Sequence, residues 1–198
     1  GWRAALDAAG CVRKVGGLPA RWDAGALLDV GDAESFEATV AFDPAATPTF
    51  VLGIADARAA AAAGDAEEEL LQRLVAISPE GCFLEVLATC GYPRLCRSRG
   101  GQLERAFLDG FGAVAGGLTL RYEAGGVTFS SGLRSYGPHA VPPGDYRPCV
   151  FLCSLGAGVA VACPRKRRLS VEERELRPRK LPAPRGAGGP AAALGGPG

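Results

Sequence analysis

The stretch LTLRYEAGGVTFSSG (118–132) limits the fold more than any other part of the chain. Leu118, Leu120 and Tyr122 stand at alternate positions, Glu-Ala-Gly-Gly interrupts, and Val127 and Phe129 resume the alternation. Side chains alternate across a strand, so this pattern predicts a hairpin with one face in a core and Thr119 and Arg121 on the other face. Gly125 and Gly126 are the expected turn, because glycine adopts positive φ at little cost.

Further strands follow from the same logic. SFEATVAF (35–42) sets Phe36, Ala38, Val40 and Phe42 against Glu37 and Thr39, a half-buried strand. TFVLGIAD (49–56) is apolar throughout and suits a central strand, with Gly53 marking a bulge or a close approach. CFLEVLAT (82–89) reads as another strand, whereas LERAFLDGF (103–111) is ambiguous. PCVFLCSLG and GVAVAC read as a closing strand pair around Gly156-Ala157-Gly158. The stretch up to Gly31 looks irregular, anchored by Trp2 and Trp22. GYPRLCRSRGG and SSGLRSYGPHAVPPGDY look like loops.

One helix is expected in the middle of the chain. Asp65 with Glu68 forms a capping box, Leu70, Leu71, Leu74, Val75 and Ile77 form an apolar stripe, and Ser78-Pro79-Glu80-Gly81 ends it. Short strands separated by turns, with this one helix inserted, predict a mainly β fold: an antiparallel sandwich of jelly-roll type over 1–163. Residues 164–198, basic and then rich in Pro, Gly and Ala, are expected to form a disordered tail, since they cannot bury enough apolar surface to order themselves.

Charge divides the chain in the same place. The net charge is +1, but 164–198 holds nine of the 22 basic residues and three of the 21 acidic ones. The body is left with 13 basic and 18 acidic residues, a balance without the basic patch that tracks phosphates, so sequence-specific nucleic-acid binding is not expected. No apolar run approaches the ~20 residues of a transmembrane helix. The absence of Met, initiator included, reads as a fragment or a processed chain, and a removed signal peptide would fit that reading too.

Catalytic chemistry finds little to work with. His139 is the single histidine and lies in GPHAVPPG; a Cys149 or Cys153 nucleophile paired with it is the one hydrolase the sequence allows. Both cysteines, however, sit in an apolar run that would bury them and suppress thiolate formation. The seven cysteines are odd in number and irregular in spacing, which favours reduced thiols in the cytoplasm over a disulfide scaffold or a zinc site. No cofactor or metal is implied.

In the tail, PRKRRLS places Arg165, Lys166, Arg167 and Arg168 just before Leu169 and Ser170. It resembles the Arg-Arg-x-Ser recognition sequence of basophilic protein kinases, making Ser170 a candidate phosphorylation site. The same run would serve as a nuclear address or an anionic-surface contact, or as a solvated linker with Ser170 capping a short VEEREL helix.

The order of pieces over 35–163 resembles the SPRY domain. Phe36-Glu37 in an early strand, VLGIAD, LTLRYEAGGVTFSSG and YRPCVFLCSLGAGVAVA carry the likeness. In that module the helix of 57–77 would be an insertion. The resemblance implies a bent antiparallel sandwich that binds a protein or peptide through loops at one end, without a cofactor. The loop residues suited to such contacts are Tyr92, Arg94 and Arg97 on one side and Tyr136, His139 and Tyr146 on the other, Tyr and Arg being enriched at binding hot spots. A lectin-like, carbohydrate-binding sandwich is the alternative, since aromatic loop residues would serve it equally.

Overall fold

The computed structural model of the chain describes residues 4–6, 10–14, 22, 24–30, 33–43, 45, 48–58, 82–87, 90–99, 102–153 and 158–162, the side chains of 4–6, 97–99 and 102 excepted. The helix expected over 65–77, Trp2, Cys163, the basic run and Ser170 lie outside the described residues.

Thirteen strands are described: β1 (Ala4–Leu6), β2 (Cys11–Lys14), β3 (Ala24–Leu27), β4 (Phe36–Ala41), β5 (Phe50–Asp56), β6 (Phe83–Val86), β7 (Pro93–Arg99), β8 (Gln102–Phe107), β9 (Gly117–Glu123), β10 (Gly126–Ser131), β11 (Arg134–Ala140), β12 (Tyr146–Leu152) and β13 (Gly158–Ala162). They form two antiparallel sheets. Sheet A runs β1-β2-β13-β4-β9-β10-β11 and sheet B runs β3-β12-β5-β6-β7-β8. The mainly β sandwich read from the sequence is the architecture found.

The sheets are buried differently. In sheet A, β4 buries Phe36, Ala38 and Val40 and leaves Glu37 and Ala41 exposed; Leu118, Leu120, Val127 and Phe129 of β9 and β10 join them in the core between the sheets. Phe36 stacks on Tyr122 with ring centroids 5.1 Å apart. In sheet B, β5 is buried on both faces: Phe50, Leu52 and Ile54 enter the central core, while Val51 and Ala55 join Trp22, Phe83, Cys149 and Phe151 in a second cluster on the far side. A β-carbon at Gly53 would come within 2.3 Å of the Phe83 β-carbon, so Gly53 marks a close approach of β5 and β6.

Several expectations are corrected. The first thirty residues hold β1, β2 and β3. In β3 the small residues AGAL hide the alternation, because a side chain at Gly25 would strike the Phe151 ring at 2.6 Å. GYPRLCRSRGG and SSGLRSYGPHA hold β7 and β11, not loops; the reasons lie in their charges and in a bulge, described below. β12 and β13 do not pair with each other: β12 lies between β3 and β5 in sheet B, and β13 between β2 and β4 in sheet A. Apolar runs of this kind mark burial without saying in which layer. The β9–β10 turn falls one residue earlier than expected, at Ala124-Gly125, with Glu123 opposite Gly126. Both turn residues have positive φ, 52° and 75°, as the twist of a two-residue hairpin requires.

Candidate functional site

Among the described strands, sheet A ends at β1 and β11, and sheet B at β3 and β8. Along the side where β8 and β11 run, a groove of about 560 Å³ opens between the sheets. Leu95, Ala106 and Leu108 form an apolar wall from sheet B, Tyr136 of β11 stands across from them, and Glu104, Arg105 and Phe107 of β8 border it. Tyr136 and Leu108 also pack on the central core, so the groove is a continuation of that core to the surface. Phe107 is 56% exposed, a large ring held out at its rim.

The bulge in β11 builds the wall opposite. Phe129 pairs with Tyr136 and Val127 with His139, so Thr128 alone faces the two residues Gly137 and Pro138. The extra residue reverses the parity of the strand, and Tyr136 and His139, which would otherwise point to opposite faces, lie together with ring centroids 4.3 Å apart. Gly137 is required there: its φ is 117°, and a β-carbon would lie 2.5 Å from the Val127 carbonyl oxygen. Pro138 donates no ladder hydrogen bond, which confines this sequence to an edge strand.

The opposite face of sheet B, across the β8 edge from the groove, holds a buried carboxylate. Glu85 of β6 is 3% exposed, and its Oε2 accepts hydrogen bonds from Arg94 Nη2 at 2.7 Å and Arg105 Nε at 3.0 Å. Register explains the meeting: Glu85 is opposite Arg94, and Arg105 is opposite Cys96, on the same face of β6, β7 and β8. A carboxylate this buried is tolerable only when paired, and two guanidiniums provide the pairing. This lets a stretch that begins with an arginine form a strand: the Arg94 charge is bound across the sheet. Cys96 lies beside the same carboxylate, and its thiol is pushed up to about 12 by burial first and by the Glu85 charge second. The Arg94 guanidinium carbon sits 6.0 Å from the centre of the Phe107 ring, within reach of a cation–π contact.

The candidate residues therefore divide. Arg94 belongs to the ion-pair cluster beside Phe107, and Tyr136 to the facing wall, with the His139 ring packed on it. Tyr92, 48% exposed, directly precedes β7. Arg97 lies in β7 opposite Glu104, its side chain outside the described residues. Tyr146 starts β12 and is buried; its hydroxyl donates to the Pro142 carbonyl oxygen at 3.0 Å and its ring meets Tyr122 edge-on at 5.8 Å. Its role there is packing. Of the six, only Tyr92 lies outside a strand. Glu85, Arg105 and Phe107 were missed by sequence reasoning. The available signal was the single carboxylate in the apolar run CFLEVL, which has to find a cation.

The chemistry of a Cys-His nucleophile does not assemble. Cys149 is buried in the cluster on the far side of sheet B, where burial pushes its thiol far up, while His139 is at the edge of sheet A. Among the described residues, no group of three His, Cys, Asp or Glu side chains could hold a metal ion, and no helix is long and apolar enough to cross a membrane.

No family model matches the chain, and no curated protein matches its sequence. Similar solved structures include the SPRY domain of human HERC1, at 12% identity and a TM-score of 0.47, covering 83% of this chain and 94% of that one. The TRIM65 PSpry domain is similar at 14% identity and a TM-score of 0.49, covering 81% and 84%. Both are SPRY domains.

Proposed function

We propose that the chain is a non-catalytic interaction module that binds a protein or peptide along the open side of its sandwich, where β7, β8 and β11 meet. The observation that carries this reading is the groove between the two sheet edges, apolar inside, with Tyr136 on one wall and the exposed Phe107 ring at the rim. Large exposed aromatic rings next to guanidiniums are the usual makings of a binding hot spot. The resemblance of 35–163 to SPRY domains supports the same class of activity.

The mode of binding is side-chain docking in place of strand addition. Pro138 and the bulge interrupt the free edge of β11, and β8 carries Glu104 on its groove-facing side, a charge that opposes a further strand. Panning a peptide library on the full chain, and on the Phe107→Ala/Tyr136→Ala double variant, tests the reading. Peptides should be enriched by the first and lost by the second. Equal enrichment by both would move the site elsewhere, and enrichment on a glycan array alone would favour the carbohydrate-binding alternative.

The basic run contributes separately: Ser170 is proposed as a basophilic kinase site. Cyclic-AMP-dependent kinase should label it, and Arg167→Ala with Arg168→Ala should abolish the label. Equal labelling of both versions removes the proposal.

A further inference from the structure

Arg94 and Arg105 share one carboxylate oxygen, and that sharing has an electrostatic remainder. Two guanidiniums carry two positive charges and Glu85 carries one negative charge, so the cluster keeps one positive charge in a body whose balance is acidic. Donors are left over as well. Arg94 bonds the carboxylate through Nη2 and Arg105 through Nε, while Arg94 Nε is buried without a hydrogen-bond partner among the described residues. A buried unpaired donor is costly and rare in a folded protein. Both arginine side chains still reach solvent, 25% and 34% exposed, and Glu85 beside them fixes their position.

We infer that this arginine pair is a receptor for one carboxylate of the bound peptide, an Asp or Glu side chain set beside an apolar residue that enters the groove. The inference deepens the proposed function and rests on it. Arg105 and Phe107 lie on β8, the edge strand that borders the groove, but their side chains share the face of Glu85, opposite to Leu95 and Ala106, so the peptide makes both contacts by crossing the β8 edge. Charge decides the kind of anion: one uncompensated positive charge matches a carboxylate, whereas a phosphate of about −1.5 to −2 would remain partly unneutralised. The guanidinium fork matches a carboxylate in a two-point contact, as it does a phosphate, so it is the charge that decides between them. The holding of the forks by Glu85 reduces the ordering cost of binding.

The test uses the full chain and a library of eight-residue peptides with all residues allowed at each position. The enriched sequences should carry Asp or Glu at one fixed position next to an apolar residue. Fluorescence anisotropy then compares a selected peptide with its Gln or Asn counterpart and with a phosphoserine counterpart at that position. The carboxylate form should bind at least tenfold more tightly than the amide and no less tightly than the phosphoserine form, and the preference should shrink in high salt. Arg105→Gln should reduce the preference to less than threefold. Arg105→Lys, which keeps the charge and protects Glu85, should retain part of it. Selected peptides without an acidic position, or an amide form that binds equally well, would overturn the inference while leaving the groove reading intact. A tenfold preference for phosphoserine would overturn it in favour of a phosphopeptide. If no peptide in the library binds, the proposed function fails with it.

Discussion

The hairpins β7–β8 and β9–β10 are both pairs of antiparallel strands of six or seven residues, yet opposite forces hold them. β9–β10 buries Leu118, Leu120, Val127 and Phe129 in the central core and leaves Arg121 exposed. β7–β8 places Leu95 in the central core, but on its far face Cys96 lies beside Glu85, which ties the hairpin to β6 through two arginines, and its outer strand is exposed from Glu104 to Phe107. The first hairpin is stabilised by the removal of apolar surface from water and can tolerate change on its wet face. The second depends on a buried charge whose compensation must be kept complete, and it leaves side chains free for contact. Sheet B thus leaves side chains exposed along its edge, and sheet A commits β9–β10 to the core.

The largest test of this contrast is Leu120→Asp, which places a charge in the core and removes a fully buried side chain. It should cost at least ~4 kcal/mol in urea unfolding, against about 1 kcal/mol for Thr119→Asp. Thr119 shares a hydroxyl hydrogen bond with Thr39 at 2.9 Å on the outer face, and that bond is what the second variant loses. Equal losses would mean that β9 is buried on both faces, as β5 is.

Next comes Glu85→Gln, which leaves Arg94 and Arg105 without their countercharge. Removing one partner of a fully buried pair costs ~3–5 kcal/mol; because these arginines are partly exposed, about 2 kcal/mol is expected. A neutral result would show the ion pairs to be irrelevant to the hairpin.

Alkaline pH acts on both hairpins, on β9 through Tyr122, whose hydroxyl is pushed up by burial, and on β7 through a buried thiol. The Cys96 thiol of β7 is raised from 9.0 to about 12, and Cys82 just before β6 to about 11. Since the folded pKa lies above the unfolded one, the contribution of each thiol is complete below pH 9 and is lost as pH rises toward the folded value. Stability should therefore fall between pH 9 and 12, by about 1 kcal/mol per thiol at pH 10. Melting Cys96→Ala over the same range should give a shallower fall; an unchanged slope would contradict the burial argument.

Smaller effects complete the series. Ala124→Gly relieves a non-glycine residue of positive φ in the β9–β10 turn and should raise stability by about 1 kcal/mol or less. Phe107→Ala should change stability by less than ~0.5 kcal/mol, because the ring is mostly in water, while it abolishes peptide binding. A large loss of stability there would turn the rim into a structural element.

The same contrast explains what the sequence disclosed. Alternation requires one wet face, and β4, β9 and β10 have one, so their faces were legible from Phe36 to Phe129. β12 is buried on both sides, and continuous apolar character could not tell that its neighbour in sequence, β13, lies in the other sheet. β7 was hidden because Arg94, Arg97 and Arg99 look like loop residues until Glu85, nine residues before Arg94, is known to lie across from it. β11 was hidden because Gly137-Pro138 breaks the period. The candidate site was half legible: Tyr and Arg pointed to Arg94, Tyr136 and His139. Phe107 and Arg105 sit in a short edge strand without a pattern of its own, and Tyr146 has a hydroxyl that is satisfied locally, which its residue type could not reveal.

The extra residue in β11 has a consequence for how this strand can change in length. Deleting Pro138 would restore an uninterrupted ladder from Ser131 to Gly126, giving a more regular edge with a full set of amides. The price would be a half-turn of everything beyond the deletion: His139 would swing away from Tyr136 and the aromatic wall would be divided between two sides of the sheet. A shortened strand would be the better template for copies of itself, so the irregularity works against edge-to-edge pairing while it keeps the two aromatic rings together.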